Sequence, residues 1–308
     1  MWHYDLMRRW KMRYMMKQVF LVILLAFGFV AGAQNVTVRK PKKQKPATTQ
    51  LTPKKHKSQS NSTKGGTVKR VATKASYSNG TLTVNGIKYN MVWVDGGTFR
   101  MGATSEQDSD AYDNEKPVHS VTLCGYYIGK TEVTQALWKA VMGSNPSEFK
   151  GDNLPVENVS WYDCQEFIRK LNSLTGQNFR LPTEAEWEFA CRGGNNSRGY
   201  KYSGSNYIDN VAWYTDNSGD KTHPVATKLP NELGIYDMSG NVWEWCSDCY
   251  GGYTSGAQTN PKGPYDGAYR VFRGGNWHYG ARYCRSSARI NYFSPDNLSY
   301  EFGLRLSL

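Results

Sequence analysis

The sequence predicts a single α+β domain that follows an N-terminal extension. Three observations support this fold class: short strand patterns that meet at Asn-Gly and Gly-Gly turns, three helix signals between residues 131 and 194, and a long irregular stretch rich in Asn, Gly, Ser and Tyr that runs to Pro230. The chain has 308 residues, of which 39% are hydrophobic and 14% aromatic, with ten tryptophans. This composition is sufficient for one compact core built on large flat side chains.

Residues 1–33 have the pattern of a secretory signal peptide with an N-terminal extension. Lys17 precedes an apolar run over residues 19–30, and Ala31-Gly32-Ala33 supplies small residues for cleavage. The run is too short to span a bilayer, so we expect an exported protein in the periplasm, at the cell surface or outside the cell. Met16 is a second candidate for the start, and an uncleaved anchor is the alternative interpretation.

Residues 34–76 predict a disordered basic linker rich in Lys, Thr and Pro, because they have too few apolar residues to offset the entropy cost of ordering. Residues 1–75 carry 17 of the 38 Lys and Arg residues and one acidic residue, whereas residues 76–308 carry 21 basic and 25 acidic residues. The net charge of +12 therefore belongs to the tail, and we expect no nucleic-acid binding by the domain. The linker is interpreted as a solvated spacer, with weak contact to anionic lipid headgroups, cell-wall polymer or glycan as the alternative.

The domain is predicted to extend over residues 77–308 and to begin with strands. Asn85-Gly86 between two strand patterns is a strong hairpin signal. Gly96-Gly97 predicts a turn within a second strand pair. The strand patterns occupy residues 81–84, 87–89, 91–94, 98–102 and 121–128.

Two helix signals follow the strands, and each combines a capping residue with apolar residues at helical spacing. Thr131 is the predicted cap of a helix that ends at Gly143. Ser160 is the predicted cap of a helix over residues 161–174, which stops at Gly176. Both helices are amphipathic, so we expect them to lie on a core.

A third helix is predicted to begin after Thr183 and to end at Gly193-Gly194. Thr183 and Glu186 form a capping box, and Glu184 and Glu188 lie near the same positive end of the helix dipole. We interpret these glutamates as capping and dipole-compensating residues and not as catalytic acids.

The segment over residues 234–245 is the stretch on which the rest of the domain depends. Trp243 and Trp245 flank Glu244, and two glycines lie just upstream. This pattern predicts a short buried strand entered through a tight turn, with the indole rings as core anchors. A buried carboxylate is costly without a partner, so Glu244 is predicted to contact an Arg, backbone donors or a metal ion.

Seven motifs occur in order along the domain. They are Asp95-Gly96-Gly97-Thr98-Phe99-x-Met101-Gly102, Lys130-Thr131-Glu132-Val133-Thr134, Pro155-Val156-x-x-Val159-Ser160-Trp161, Arg180-Leu181-Pro182-Thr183-Glu184-Ala185-Glu186-Trp187-Glu188, Gly240-Asn241-Val242-Trp243-Glu244-Trp245, Arg273-Gly274-Gly275-Asn276-Trp277 and Phe302-Gly303-Leu304-Arg305. Together they resemble the formylglycine-generating enzyme, or sulfatase-modifying factor, family over about residues 90–308. The resemblance implies a single loop-rich domain of C-type-lectin-like topology with little regular secondary structure.

The active enzymes of that family oxidise a sulfatase cysteine to formylglycine, using O2 and a Cu(I) ion held by two thiolates. Soft thiolates select Cu(I), and one sulfur cannot form the two-coordinate site. Counted from Trp277, the two positions are Tyr279 and Cys284; counted back from Arg289, Cys284 falls on neither position. Cys284 is thus the one catalytic candidate, and we expect neither copper binding nor copper-oxidase activity.

The resemblance also implies two calcium sites built from side-chain and backbone oxygens, the ligands that this hard cation prefers. The first set is Asn210 and the Val211 carbonyl, with an acid from Asp216 or Asp220. The second set would also supply a partner for Glu244, and it comprises Asp237, Gly240, Val242 and Glu244.

Six cysteines in a chain predicted to be exported suggest disulfides. The resemblance implies a bridge between Cys191 and Cys284. Cys246 and Cys249 form a C-x-x-C motif, which we interpret as a local disulfide or as two separate thiols, because no second pair completes a zinc site. Cys124 and Cys164 are predicted core thiols.

The C-terminal segment has the composition of an adaptable binding surface, in which Tyr, Ser, Gly and Asn accompany a frame of arginines. We therefore predict a monomeric binding module for a protein or glycan. The alternative is an oxidoreductase of the same family, acting in sulfatase maturation or through non-haem iron, although His119, His223 and His278 lack the spacing of an iron site. The predicted ligand-binding residues are Trp277, His278, Tyr279, Tyr283, Asn291, Tyr292 and Tyr300.

Overall fold

The computed structural model describes residues 73–291 and 293–308, with side chains for all of these except residues 108 and 109. The predicted signal peptide and nearly all of the predicted linker lie outside the described residues. Regular structure begins at Ala75, two residues before the predicted start of the domain. None of the helices in this described part has both the length and the apolar character of a membrane span.

The first sheet is antiparallel and contains the predicted Asn-Gly hairpin. Its strands, in spatial order, are β1 (Ala75–Ser78), β2 (Thr81–Val84), β3 (Ile87–Val94) and β6 (Tyr126–Gly129). Val84 pairs with Ile87 across the turn, and Asn85 and Gly86 both have positive φ, at 50° and 86°. These angles are the ones that a two-residue hairpin turn requires, so the hairpin prediction is confirmed.

The second sheet corrects the prediction of a strand pair around Gly96-Gly97. It contains β4 (Gly97–Met101), β5 (His119–Leu123) and β10 (Gln258–Thr259), in the order β10-β5-β4. After β3 the chain changes sheets, and β4 pairs with β5. Gly96 permits this change because it lies against the end of β5, where a Cβ would be only 2.6 Å from the Leu123 carbonyl oxygen. The single strand predicted over residues 121–128 is likewise divided, into β5 and β6.

The three predicted helices are α1 (Gln135–Met142), α2 (Trp161–Thr175) and α3 (Glu184–Cys191). The predicted caps of α2 and α3 are confirmed, since Ser160 accepts from Asp163 N and Thr183 accepts from Glu186 N. The cap of α1 is Thr134 and not Thr131. Helix α1 begins later because Val133 N still donates to the Leu304 carbonyl of the C-terminal segment.

The third sheet confirms the buried strand predicted at the tryptophan motif. Its strands, in spatial order, are β12 (Arg289–Ile290), β11 (Arg270–Arg273), β9 (Trp243–Cys249) and β13 (Phe302–Gly303). A two-stranded parallel pair joins β7 (Ala212–Trp213) to β8 (Ser239–Gly240). The Trp243 and Trp245 side chains are fully buried and pack in one core with residues of β2, α1, α2 and β13.

Candidate functional site

Glu244 on β9 has an arginine as its partner, the first of the three alternatives that the sequence left open. Arg305 Nη2 lies 2.6 Å from Glu244 Oε1, and Arg305 Nε lies 3.0 Å from Oε2. The Trp187 indole donates to Oε2 at 2.7 Å. All three side chains are fully buried, so the ion pair joins β9, α3 and the C-terminal segment within the core.

Three further buried arginines pair with buried glutamates around the C-terminal segment. Arg289 contacts both oxygens of Glu184 at 2.7 Å, and Arg285 Nη1 lies 2.8 Å from Glu115 Oε2. Arg273 pairs with Glu188, which also accepts from Gly102 N at 2.9 Å. The glutamates of α3 are therefore structural, as predicted, but only Glu186 caps the helix, whereas Glu184 and Glu188 pair with arginines.

The second predicted calcium set does not fit the residues as the structure places them. Both Glu244 oxygens are occupied by Arg305 and Trp187. The remaining acids nearby are Asp237, whose Oδ2 accepts from Ala226 N at 2.7 Å, and Glu132, which accepts from Asn241 Nδ2 and Val242 N. Burial, opposed by the Ala226 N–H and by Arg305, raises the pKa of Asp237 to about 6. Glu244 is thus neutralised by a guanidinium and not by a metal ion.

The first predicted calcium set lies elsewhere, in the segment that leads into β7. Asn210 is exposed and its carbonyl accepts from Leu229 N at 2.9 Å, whereas Val211 is buried. Asp216 and Asp220 are both exposed. Within the described residues, no three His, Cys, Asp or Glu side chains are grouped to hold a metal ion. Calcium at Asn210 and Val211 stays a prediction.

The C-terminal aromatic surface comprises His278, Tyr279, Tyr283 and Tyr300. Asn276 fixes the backbone at the start of this surface. The Asn276 Oδ1 accepts hydrogen bonds from the backbone N–H groups of His278 at 2.9 Å and Tyr279 at 2.8 Å. The Tyr279 and Tyr283 rings meet edge to face at 5.0 Å between centroids. His278 and Tyr300 are exposed, and the other two are partly buried. The structure therefore brings together four of the seven predicted ligand residues.

Trp277 is placed beneath this surface and not on it. Its side chain is only 4% exposed, and its indole donates to the Tyr300 carbonyl at 3.3 Å. It stacks on the Tyr300 ring and meets Phe149 edge to face at 5.5 Å. Large indoles usually bury most of their area, so Trp277 supports the surface from below. Asn291 is partly buried next to β12, and Tyr292 lies outside the described residues.

Two buried polar groups, the Trp243 indole N–H and the Glu301 carboxyl, lie under the C-terminal aromatic surface without an ion-pair partner in the described part of the chain. The Trp243 indole, which contacts the Tyr279 and Tyr283 rings, is buried, and its Nε1 has no hydrogen-bond partner among the described residues. Glu301 is 4% exposed, and burial raises its pKa to about 7 despite the neighbouring Asn276 side chain. The floor of the surface thus combines an unused donor with a carboxyl group that is easily protonated.

The predicted disulfide between Cys191 and Cys284 is not formed in the structure, where both are buried free thiols. The Cys191 thiol lies 3.7 Å from the Met238 carbonyl oxygen, and burial raises its pKa to about 11 despite the opposing effect of the Ser286 hydroxyl. The Cys284 sulfur instead packs on Gly275, where a Cβ would lie 2.7 Å from it. Burial raises the pKa of Cys284 to about 12, which keeps it protonated at neutral pH.

The other four cysteines are also free thiols in the structure. Cys246 and Cys249 are both buried on β9, which agrees with the interpretation as separate thiols. Cys164 lies on α2 and is buried in the hydrophobic core, as predicted. Cys124 is exposed and accepts from Asn260 Nδ2, so its prediction as a core thiol is wrong, because it lies in the bend between β5 and β6.

Comparison with known proteins agrees with this arrangement. The profile of the sulfatase-modifying factor enzyme 1-like domain matches residues 81–307, which is most of the chain. The chain belongs to this family. The family prediction made from the seven motifs is therefore confirmed.

The alignments with individual relatives cover most of the length of each relative. It is 36% identical over 270 residues to the chaperone protein LppX of Paenibacillus barcinonensis, covering 70% of this chain and 88% of the relative. It is 31% identical over 283 residues to the formylglycine-generating enzyme of Streptomyces coelicolor, covering 70% and 87%.

Among solved structures, Treponema denticola variable protein 1 is 36% identical, with a TM-score of 0.67 over 74% of this chain and 97% of that chain. PvdO from Pseudomonas aeruginosa is 25% identical, with a TM-score of 0.60 over 70% and 93%. The domain has the loop-rich C-type-lectin-like fold of formylglycine-generating enzymes, as predicted.

An Arg partner was one of the sequence's alternatives for Glu244, but which arginine pairs with it was not predicted, and the other three buried arginine–glutamate pairs were missed. The arginines stood out as a frame around the C-terminal segment, but their partners are 61 to 170 positions away in sequence. One signal could have found them: an Arg inside an otherwise apolar motif, as in Phe302-Gly303-Leu304-Arg305, must be paired if it is buried.

Proposed function

We propose that this protein is an exported, non-catalytic member of its family that holds a protein or glycan on the C-terminal aromatic surface. The burial of Cys284 is the observation that carries the proposal. A copper oxidase must present two thiolates toward its substrate, whereas here the one cysteine of this segment is fully buried, with a pKa raised to about 12. Counted from Trp277, Tyr279 takes the place expected for the other sulfur.

The residues present therefore do not fit a Cu(I) ion at this position. A phenol and a protonated, enclosed thiol are a poor ligand pair for a soft cation. The nearest arginine, Arg285, cannot promote ionisation of Cys284 effectively, because it is already paired with Glu115.

The chemistry of the surface supports binding. Tyrosine and histidine rings provide contact area at a low cost in side-chain entropy and can also hydrogen-bond, which suits both peptide and sugar ligands. The ring packing of Tyr279 against Tyr283 and of Tyr300 against Trp277 fixes their orientation before a ligand arrives. The relatives named as a chaperone and as a variable protein also favour a binding role.

Binding can be tested with glycan and protein arrays probed with the purified protein. For any ligand found, we expect His278→Ala and Tyr300→Ala each to weaken binding by about tenfold, because contact residues of this type contribute roughly 1–2 kcal/mol. Tyr265→Ala is the matched control, since Tyr265 is fully exposed outside the surface. Equal effects of all three substitutions would place the ligand elsewhere.

The alternative function is the sulfatase-maturing oxidation, which the 31% identity to a formylglycine-generating enzyme favours. Incubation with Cu(I), oxygen and a sulfatase-type cysteine peptide tests it through the mass of the peptide. We expect no conversion, and turnover would replace the binding proposal with this one.

A further inference from the structure

We propose that the Asp248 cleft binds the primary ammonium group of a small amine or of a lysine side chain. The Asp248 cleft is a cavity of about 330 Å³ between β5, α3 and the segment that follows β9. It contains none of the residues of the C-terminal aromatic surface, so the proposal does not depend on the function assigned above. Its lining includes Met101, His119, Asp248, Tyr253, Lys262 and Gly263.

Asp248 supplies the anion of the site. Its Oδ2 accepts from Glu184 N at 3.1 Å and from the Ser247 hydroxyl at 2.8 Å. Its Oδ1 has no hydrogen-bond partner among the residues that the structure describes, and it lies beside Gly263 of the cleft wall, where a Cβ would be 3.3 Å away. One carboxylate oxygen is thus fixed by the protein, and the other remains available to a ligand.

Neighbouring cations do not neutralise Asp248. Arg289 also lines the cleft, but it contacts both Glu184 oxygens at 2.7 Å and donates to the Gly251 carbonyl at 2.9 Å. Lys262 is exposed at the rim and forms no ion pair within the described part of the domain. Asp248 is 4% exposed, and burial next to Glu184 raises its pKa to about 7. A carboxylate that is desolvated and unpaired gains most from a cationic hydrogen-bond donor.

The walls fit an aliphatic arm behind that donor. Met101 and Ala185 provide apolar surface, and the Tyr253 ring is held between His119 at 4.7 Å and the Arg289 guanidinium at 4.0 Å. Tyr253 OH donates to Glu184 Oε1 at 3.1 Å, so the ring is fixed at both ends. An alkyl chain ending in an ammonium group matches this combination of an apolar wall and a single open carboxylate oxygen.

The test is an NMR titration of the purified protein with n-butylammonium chloride and, separately, with Nα-acetyl-lysine methylamide. The two probes distinguish a free amine from a lysine side chain, and n-butanol is the neutral probe of similar size. We expect saturable shifts at residues of the cleft with the cationic probes and none with n-butanol. Asp248→Asn keeps the shape and the contact with Glu184 N, and it should weaken binding by at least about tenfold.

Asp266→Asn is the matched control, because Asp266 is an exposed acid of the neighbouring segment and does not line the cleft. It should leave the affinity unchanged. Lys262→Gln should leave it unchanged or increase it, since a positive charge is removed from the rim. Absence of binding to the unmodified protein, binding that Asp248→Asn does not weaken, or binding seen only after Lys262→Gln would each overturn the proposal.

Discussion

Glu244 illustrates at the scale of one residue how the core tolerates charge. A carboxylate with no solvent exposure would be strongly destabilising alone, but Arg305 and Trp187 occupy both of its oxygens. The pairing gives Glu244 a structural role, and the same logic applies to the pairs of Arg289 with Glu184 and of Arg285 with Glu115. The carboxyl groups left for chemistry or binding are those without such partners.

Glu244→Gln should therefore lower the free energy of unfolding by about 3–5 kcal/mol, because it leaves the Arg305 guanidinium buried and unpaired. Urea denaturation followed by tryptophan fluorescence measures the change. Glu166→Gln is the matched control: Glu166 pairs with Arg169 at the surface, where water screens the pair, so little change is expected. Similar losses in both variants would show that the Glu244 pair is not integral to the core.

Glu301 should make the stability of the domain depend on pH. Burial raises its pKa to about 7 in the folded protein, whereas an unfolded glutamate titrates near about 4.3. Between these values the folded state binds more protons, so the free energy of unfolding decreases as the pH rises through this window and levels off above it. Glu301→Gln should flatten part of this decrease, measured by urea denaturation from pH 4 to 8. Parallel curves for the two proteins would refute the assignment.

At the scale of single elements, helix α1 shows how tertiary contacts override a local signal. The sequence predicts Thr131 as the cap, but backbone pairing with the C-terminal segment extends as far as Val133 and delays the helix to Gln135. Thr134 then provides the oxygen that accepts from Leu137 N. The C-terminal segment thereby fixes where an element early in the domain begins.

The two threonines form a matched pair for an experiment. Thr134→Ala should cost about 1 kcal/mol of stability through loss of the cap, whereas Thr131→Ala should cost clearly less, because the Thr131 hydroxyl donates only to the adjacent Glu132 carbonyl and caps no helix N–H. Chemical denaturation at constant pH provides the comparison. A larger loss for Thr131→Ala would restore the cap predicted from sequence.

Local signals decided which elements could be predicted. Helix α2 follows from Ser160 and Gly176, and the β2–β3 hairpin follows from Asn85-Gly86, because each signal lies at the element itself. The wrong strand pair at Gly96-Gly97 depended on which sheet the next strand joins, and the buried position of Trp277 depended on Phe149 and Tyr300. Such contacts are distant in sequence and cannot be found from spacing.

At the scale of the whole molecule, the family and its fold could be identified from motif order, whereas the cysteine connectivity could not. The bridge that the resemblance implied is not formed, and the Cys284 sulfur packs against Gly275. All six cysteines are thiols, and five of them are buried. Packing and ion pairs, and not covalent bridges, hold the loops of the described domain together.

Thiol titration with a chromogenic disulfide reagent tests this arrangement. Without reductant, the protein unfolded in guanidinium should release six equivalents, and the native protein should react rapidly at one thiol, Cys124. The five others are buried and inaccessible to the reagent until the domain opens. Four equivalents in the unfolded protein would instead indicate one disulfide.

We propose that a domain with the fold of the formylglycine-generating enzymes binds its ligand here without a copper site. Competition for Cu(I) with a chromophoric chelator at neutral pH tests it most directly. Because Cys284 is enclosed and Tyr279 stands at the other of the two positions counted from Trp277, the native protein should remove no Cu(I) from the chelator apart from what the exposed Cys124 binds, and a Cys124→Ser variant should remove none. Stoichiometric Cu(I) uptake by the native protein that Cys284→Ser abolishes would contradict the account.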